Sequence, residues 1–163
     1  MTETARALLR HAAEALLRQG TVGDELVRER GRVREPVPVL GPDGEVHSFA
    51  VGVAVGEKLA GLLQFLPDGT LMRYASFQRG RDSVAEAPEA ADWLDPKRIR
   101  ARAEEHLRPH ESTRTPYLTF DANPTRLAWL VPVVSASGGE RPLLVAGTSV
   151  FEPSGGGIGG ATG

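Results

Sequence analysis

The sequence predicts an α+β fold in which a helix followed by a three-stranded antiparallel meander occurs twice, with the helices packed on one face of a curved antiparallel sheet. Two patterns predict it: helical spacing of apolar residues, and period-two alternation punctuated by turn residues. We expect a single domain over residues 1–151, made of sub-units 1–77 and 95–151 with a linker at 78–94. A flexible glycine-rich tail is expected at 152–163. The two sub-units could share one sheet or pack as two lobes.

Composition excludes several classes of function. The 163 residues suit one domain or two very small ones, and the lack of cysteine excludes disulfides, thiol catalysis and thiolate metal sites. A net charge of -2 gives no global attraction to nucleic acid or anionic lipid. No apolar run approaches the roughly 20 residues that span a bilayer. Because Arg6, Arg10 and Glu14 interrupt the N-terminal Ala/Leu run, it does not resemble an export signal, and we expect a cytoplasmic protein.

The first predicted element is an amphipathic helix. Its apolar residues recur at spacings of three and four, which predicts one buried face: Ala5, Leu8, Leu9, Ala12 and Leu16. Thr2 or Thr4 can cap its start, and Gly20 is expected to end it.

A meander is predicted to follow this helix. Residues 35–40 are expected to form a short edge strand because they contain two prolines. Alternating apolar residues then predict a long strand from Val46 to Val55, where Gly52 and Gly56 permit a bulge. Two further strands are predicted at 59–66 and 70–77, on either side of a Pro-Asp-Gly turn.

The second sub-unit begins with a strong helix start signal, Asp95 as N-cap and Pro96 at the first helical position. We expect a helix that ends at Arg108-Pro109. Its predicted inner face comprises Ile99, Ala103, His106 and Leu107. Strands are predicted at 115–120, 126–134 and 142–151, separated by turns.

The middle strands of the two meanders carry a family resemblance. Leu59-Ala60-Gly61-Leu62-Leu63, with its Asp68-Gly69 turn, and 127–134, with its Gly138-Gly139 turn, are similar to the cystatin-like PepSY domains. That resemblance implies a binding or regulatory module rather than an enzyme. PepSY domains usually lie outside the cytoplasmic membrane, often beside peptidases that they are thought to restrain. The lack of an export signal in this chain departs from that setting.

No catalytic, cofactor or metal motif is predicted. His106 and His110 lie four apart, as metal ligands on a helix do, but Pro109 is expected to end the helix between them. The alternative is a helix C-terminus that carries one or two favourable imidazoles. Three aspartates occupy predicted turns, where we expect backbone hydrogen bonds rather than general acid catalysis: Asp43, Asp68 and Asp121.

Alternating arginines form a candidate partner-binding surface. If extended, Arg28, Arg30, Arg32 and Arg34 would project from one face as an anion ladder. Nucleic acid is disfavoured because glutamates dilute the charge and no aromatic residues interleave for base stacking. The alternatives are a solvated edge or salt bridges within the chain, for example to the acidic segment 82–95.

Two further residues are candidates for partner contact. Trp93 precedes the second helix and either staples it to the body or contacts a partner, whereas Trp129 is expected in the core. Ile158 is flanked by glycines in the tail. It either belongs to a flexible end or docks as an extended peptide into a partner or a neighbouring subunit.

These features favour a non-enzymatic protein-binding, regulatory or assembly module, without cofactor or membrane, whose partner is another protein or a second copy. One alternative is a cone-shaped α+β fold that binds a small ligand or acts as an enzyme. It requires His47, Tyr74 and Tyr117 to converge in a cavity. The other alternative is a structural protein that self-assembles through exposed strand edges.

Overall fold

The computed structural model describes residues 2–153, and its mixture of 24% helix and 39% strand confirms the α+β class. The helices are α1 (Glu3–Arg18), α2 (Glu25–Arg30), α3 (Ala90–Leu94) and α4 (Pro96–Glu104). The strands are β1 (Arg32–Val33), β2 (Val37–Leu40), β3 (Val46–Val55), β4 (Lys58–Phe65), β5 (Leu71–Ser76), β6 (Glu111–Thr113), β7 (Tyr117–Phe120), β8 (Leu127–Ser135), β9 (Glu140–Ala146) and β10 (Ser149–Phe151). In the described part of the chain, no helix is long and apolar enough to cross a membrane.

The described residues divide into two compact units. The first unit holds residues 2–39 and 45–91, and the second holds 40–44 and 92–153. The predicted boundaries of the sub-units and of the linker stay a prediction. The segment expected as a linker, 78–94, contains the five-residue helix α3.

Helix α1 buries a stripe that overlaps the predicted one at Leu9, Ala12 and Leu16 and adds Ala13 and Leu17. Leu9, Ala13 and Leu17 are buried in the core of the first unit, with Ala12 and Leu16 packed beside them. The prediction for Leu8 is wrong, because its side chain is 66% exposed. Apolar spacing alone did not distinguish these stripes, and the contacts of α1 with α2 and β3 decide which one is covered.

Both ends of α1 are formed as predicted. The Thr2 hydroxyl accepts a hydrogen bond from the Ala5 amide at 3.1 Å. Gly20 has a φ of 75°, and the amides of Gly20 and Thr21 donate to the carbonyls of Leu17 and Leu16. This is a Schellman motif, which a glycine makes possible without steric cost.

The sheet of the first unit has the order β2-β3-β4-β5, and β1 also pairs with β3. All named pairs in it are antiparallel, and the predicted irregularity of β3 occurs as a register shift between Val53 and Ala54. One face of β3 and β4 packs against α1 and α2. On β3 and β4 the buried polar side chains of Ser48 and Gln64 bond each other at 2.9 Å, which satisfies them without water.

Helix α4 begins as predicted and ends early. The Asp95 carboxylate accepts from the Lys97 amide, and Ile99 and Ala103 are fully buried. The helix stops at Glu104 rather than Arg108, so the predicted inner-face position of His106 is wrong and its side chain is exposed. The turn that follows, where α-helical bonding is replaced by tighter i→i+3 bonds, ends the helix before the proline does.

The C-terminal strand region of the second unit also differs from the prediction. The single strand expected over 142–151 is a hairpin of β9 and β10, in which Ala146 pairs with Ser149 across a two-residue loop. Gly147 supplies the positive φ of 62° that such a tight loop requires. The sheet order of this unit is β7-β8-β9-β10, with β6 also paired to β8. Helix α4 contacts β6, β8 and β9.

Candidate functional site

The first unit contains an open pocket of about 400 Å³. It is lined by Gly23 and Asp24 before α2, by Tyr74 and Ser76 on β5, and by the loop 78–81. We call it the Tyr74 pocket. It forms where the end of β5, the last strand in the sheet order, meets the start of α2. Loop residues and polar side chains therefore form most of its lining.

Two aspartates hold the pocket wall together. Asp24 is the N-cap of α2, and its carboxylate accepts from the amides of Val27 and Asp82 and from the Gln78 side chain, at 3.2, 2.7 and 3.0 Å. In return, the Asp82 carboxylate accepts from the Leu26 amide at 3.1 Å. The loop 78–82 is therefore pinned to the first turn of α2.

The hydrogen bonds to Asp24 keep it ionised. Burial alone would raise the pKa of Asp24, but the Asp82 and Val27 amides and the Gln78 side chain lower it below its ordinary 3.8. Since three donors already satisfy this carboxylate, its first role is to fix the loop.

Tyr74 presents an unsatisfied hydroxyl in this pocket. The oxygen is buried and has no hydrogen-bond partner within the described residues. The hydroxyl end of the ring lies directly over Gly61, where a Cβ atom would collide with it, and the hydroxyl oxygen is 3.7 Å from the Cβ position of Gly23. Burial, reinforced by the charge of Asp24, raises the pKa of Tyr74 to about 12. The hydroxyl therefore stays protonated at neutral pH and is able to donate a hydrogen bond.

The outer part of the pocket is rich in donors. Arg79 is exposed and makes no ion pair in the described part of the chain. The side chain of Arg81 is 91% exposed and lies 4.0 Å from the Asp82 carboxylate. The Ser76 hydroxyl accepts from the Gln78 amide, which leaves its own hydrogen available. Two arginines, a serine and a tyrosine thus line one open volume.

The second unit carries an apolar groove of about 220 Å³ on the outer face of its sheet. Tyr117, Leu130, Pro132 and Pro142 form its apolar surface, with Glu140 and Arg141 at the rim. We call it the Tyr117 groove. Tyr117 lies opposite Leu130, and Pro132 lies opposite Pro142, so cross-strand neighbours on three strands build it.

Alternation along β8 explains why this face is open. Trp129, Val131 and Val133 are buried on the face that α4 covers, whereas the residues between them are only half-buried. Tyr117 is 37% exposed and is one of three large apolar side chains in the described residues that stand out into solvent.

No protein-family model, no curated protein and no solved structure matches this chain. The functional interpretation therefore depends on the chemistry of the two sites just described.

The arginine ladder predicted from the sequence is not formed. Arg28 and Arg30 lie on helix α2 and Arg32 lies on β1, so the alternation does not place the four side chains along one extended strand. None of Arg28, Arg30, Arg32 and Arg34 makes an ion pair with a described residue, including those of the acidic segment 82–95. The salt-bridge alternative is therefore also not observed.

Trp93 lies in helix α3 and is half-buried, packed against Gly147. Its carbonyl accepts a 2.7 Å hydrogen bond from the indole N–H of Trp129, which is buried in the core as predicted. These contacts give Trp93 a structural role within the second unit. Ile158 lies outside the described residues.

The other candidate residues are not brought together. His47 does not line the Tyr74 pocket, and Tyr117 lines the groove of the second unit. His106 and His110 are both exposed beyond the end of α4, and the described residues contain no cluster of three or more metal-ligating side chains.

Sequence reasoning missed most of the Tyr74 pocket. Asp24, Arg79 and Arg81 were not singled out, and α2 was not predicted. The local signal for α2 was Asp24, whose carboxylate caps the helix by accepting from the amide of Val27 at position N3. A six-residue helix is, however, too short to show a hydrophobic period.

Proposed function

We propose that this protein is a non-enzymatic protein-binding module and that the Tyr117 groove is its contact surface. The observation that carries the proposal is an open apolar groove on the face of the second sheet that α4 does not cover. Exposed apolar patches with a polar rim are typical of protein interaction sites, and tyrosine is enriched among residues that dominate binding energy.

The partner segment is expected to be apolar and extended. The rim charges are already paired within the chain, Arg141 with Glu111 at 2.8 Å and Glu140 with Arg114 at 3.5 Å. They therefore do not require an opposite charge on the partner. Pro132 and Pro142 face each other and lack amide hydrogens, so the groove floor favours side-chain packing over main-chain hydrogen bonding.

The finer architecture belongs to the same proposal. We interpret the chain as two helix-plus-meander sub-units similar to cystatin-like PepSY domains. Support comes from α1 packed on β3 in the first unit and α4 packed on β8 and β9 in the second. Strands β1 and β6 are additions to the simple meander in their respective units. A cytoplasmic location is also proposed, from the charged residues that interrupt the N-terminal helix.

The test is affinity capture from a native lysate with three forms of the full chain: wild type, Tyr117→Glu and Val46→Glu. Val46 is a matched control because it is an exposed apolar residue, 43% accessible, on the first unit. We expect a protein that is recovered by wild type and Val46→Glu and lost with Tyr117→Glu. Equal recovery by all three forms, or recovery of nothing, would contradict the proposal.

Self-assembly is a second candidate function, favoured by β10, a short strand that pairs only with β9 among the described strands. Size-exclusion chromatography with light scattering on wild type and Tyr117→Glu separates the two. A wild-type dimer that becomes monomeric in Tyr117→Glu would identify a second copy as the partner in the Tyr117 groove, whereas a dimer that persists in this variant would assign assembly to the β10 edge.

A further inference from the structure

We infer that the Tyr74 pocket binds the phosphate group of a small phosphate ester. This site lies in the first unit and is independent of the Tyr117 groove, so either proposal can fail without the other. The inference depends on the donors that converge on the pocket and on one buried hydroxyl that the fold itself leaves unpaired.

The available polar groups of the pocket are mostly donors. Arg79 and Arg81 offer guanidinium N–H groups, and Tyr74 and Ser76 offer hydroxyl hydrogens. Guanidinium groups bind phosphate and carboxylate oxygens in a bidentate manner and keep their charge at every physiological pH. Donors of this kind select an oxyanion over a neutral or cationic ligand.

Asp24 carries a negative charge that disfavours an anion, but the lining holds two guanidinium groups, Arg79 and Arg81, against this one carboxylate. Its two oxygens already accept three hydrogen bonds from Val27, Asp82 and Gln78. Two of these donors belong to residues 78–82, so the carboxylate holds the loop that carries Arg79 and Arg81.

Tyr74 supplies the observation that points to a ligand rather than to a structural cleft. A buried hydroxyl without a partner is costly, and most such groups in folded proteins are satisfied by protein or by a bound molecule. The hydroxyl occupies the space where the Cβ of Gly61 would stand and lies 3.7 Å from the Cβ position of Gly23, and neither glycine has a side chain that could act as its partner.

A phosphate ester fits better than a carboxylate or a bare ion. A phosphate group has three terminal oxygens, which two guanidinium groups and two hydroxyls can satisfy from different directions, whereas a carboxylate has two. The pocket volume of about 400 Å³ is at the lower end of the range for small-molecule sites and leaves room for an organic group beside the phosphate.

The experiment is a nuclear magnetic resonance titration of the ¹⁵N-labelled full chain with inorganic phosphate and, separately, with phenyl phosphate at constant ionic strength. The variants are Tyr74→Phe and the double variant Arg79→Gln with Arg81→Gln. Arg30→Gln is the matched control, because Arg30 is an exposed arginine of the same unit that has no ion pair with a described residue and does not line the pocket.

We expect saturable shifts of the amides of residues 74–82 with both probes, and tighter binding of phenyl phosphate. Loss of a hydrogen bond to a charged ligand should weaken binding about tenfold in Tyr74→Phe. The double arginine variant should lose saturable binding, and Arg30→Gln should bind as wild type does. Since the Tyr74 hydroxyl has no partner among the described residues, Tyr74→Phe should unfold at the same urea concentration or higher.

Several results would overturn the inference. Shifts that remain linear with probe concentration would show an adventitious ion only. Binding that persists unchanged in the double arginine variant would place the anion elsewhere. Phenyl phosphate that binds no more tightly than inorganic phosphate would exclude an ester as the ligand.

Discussion

The ring of Tyr74 lies directly against Gly61 on the neighbouring strand, in the space that a Cβ atom at position 61 would occupy. Gly61 pairs with Val53 and Ser76, whereas Tyr74 pairs with Leu63, so the contact runs diagonally across β4 and β5. The absence of a side chain at 61 therefore sets the depth at which the Tyr74 hydroxyl sits.

Replacement of this glycine should destabilise the first unit. Gly61→Ala places a methyl group against the Tyr74 ring, and overpacking of this kind costs about 1–3 kcal/mol in the free energy of unfolding. Urea denaturation followed by circular dichroism measures it. Gly80→Ala is the control, since nothing lies within 4 Å of its Cβ position and its φ is not positive. Equal stability of Gly61→Ala and wild type would mean that the ring is free to move away.

The loop 78–82 should depend on Asp82. This residue has a φ of 52° and its carboxylate accepts from the Leu26 amide. Asp82→Ala loses the acceptor and places alanine in the left-handed region, which together should cost about 2 kcal/mol. Asp82→Asn keeps an acceptor and tolerates this conformation, so it should cost less. The exposed acidic residue Glu86 provides the control Glu86→Ala, which should leave the urea midpoint unchanged. An equal loss in the alanine and asparagine variants would contradict the capping role.

Stability should fall in acid through the pair of Glu111 and Arg141. The Arg141 guanidinium donates two hydrogen bonds to Glu111, at 2.8 and 2.9 Å, and lowers the pKa of that carboxyl from 4.5 to about 2. A carboxyl whose pKa is lower in the folded state contributes stability above its unfolded pKa. That contribution is lost as the pH falls from about 4.5 toward 2.

Thermal unfolding between pH 6 and pH 2 measures this contribution. Glu111→Gln should be less stable than wild type at pH 6, and the difference should shrink as the pH approaches 2. Glu105→Gln is the control, because Glu105 is exposed and unpaired among the described residues. A constant difference at every pH would assign the loss to packing rather than to ionisation.

The indole N–H of Trp129 should contribute to the stability of the second unit. It donates at 2.7 Å to the Trp93 carbonyl and so ties β8 to the end of α3. Trp129→Phe leaves that carbonyl without this donor and removes buried ring volume, so we expect a loss of about 2–3 kcal/mol. Tyr117→Phe, which removes an exposed hydroxyl from the same unit, should be neutral in the same urea titration. A neutral Trp129→Phe would show that water replaces the indole donor.

The predictions from sequence succeeded where a signal is local. The Asp95 cap and Pro96 start α4 as expected, Gly20 ends α1, and the turn role of Asp68 is confirmed by its bond to the Thr70 amide at 2.9 Å. Each of these depends on side chains and backbone groups within a few residues of one another. Tertiary packing has little influence on such signals.

The predictions from sequence failed where two different structures would show the same local pattern of residues. Leu8 and Ala13 are equally acceptable on an apolar stripe, and only the position of β3 and α2 decides which is buried. Arg28 and Arg30 alternate as residues of a strand would, yet they lie on helix α2. That helix is stabilised by its contact with β3 and by the carboxylates of Asp24 and Asp82, and Asp82 is 56 residues along the chain from Leu26, whose amide it accepts from.

The sequence by itself determined the α+β class, most strand positions, both ends of α1 and the start of α4, because capping, turn chemistry and alternation act over short distances. Only the tertiary structure decided that Asp24, Tyr74 and the loop 78–81 enclose one pocket, and that Tyr117, Pro132 and Pro142 share one open face. Those groupings depend on strand register and on long-range hydrogen bonds, and neither has a signature in the order of residues along the chain.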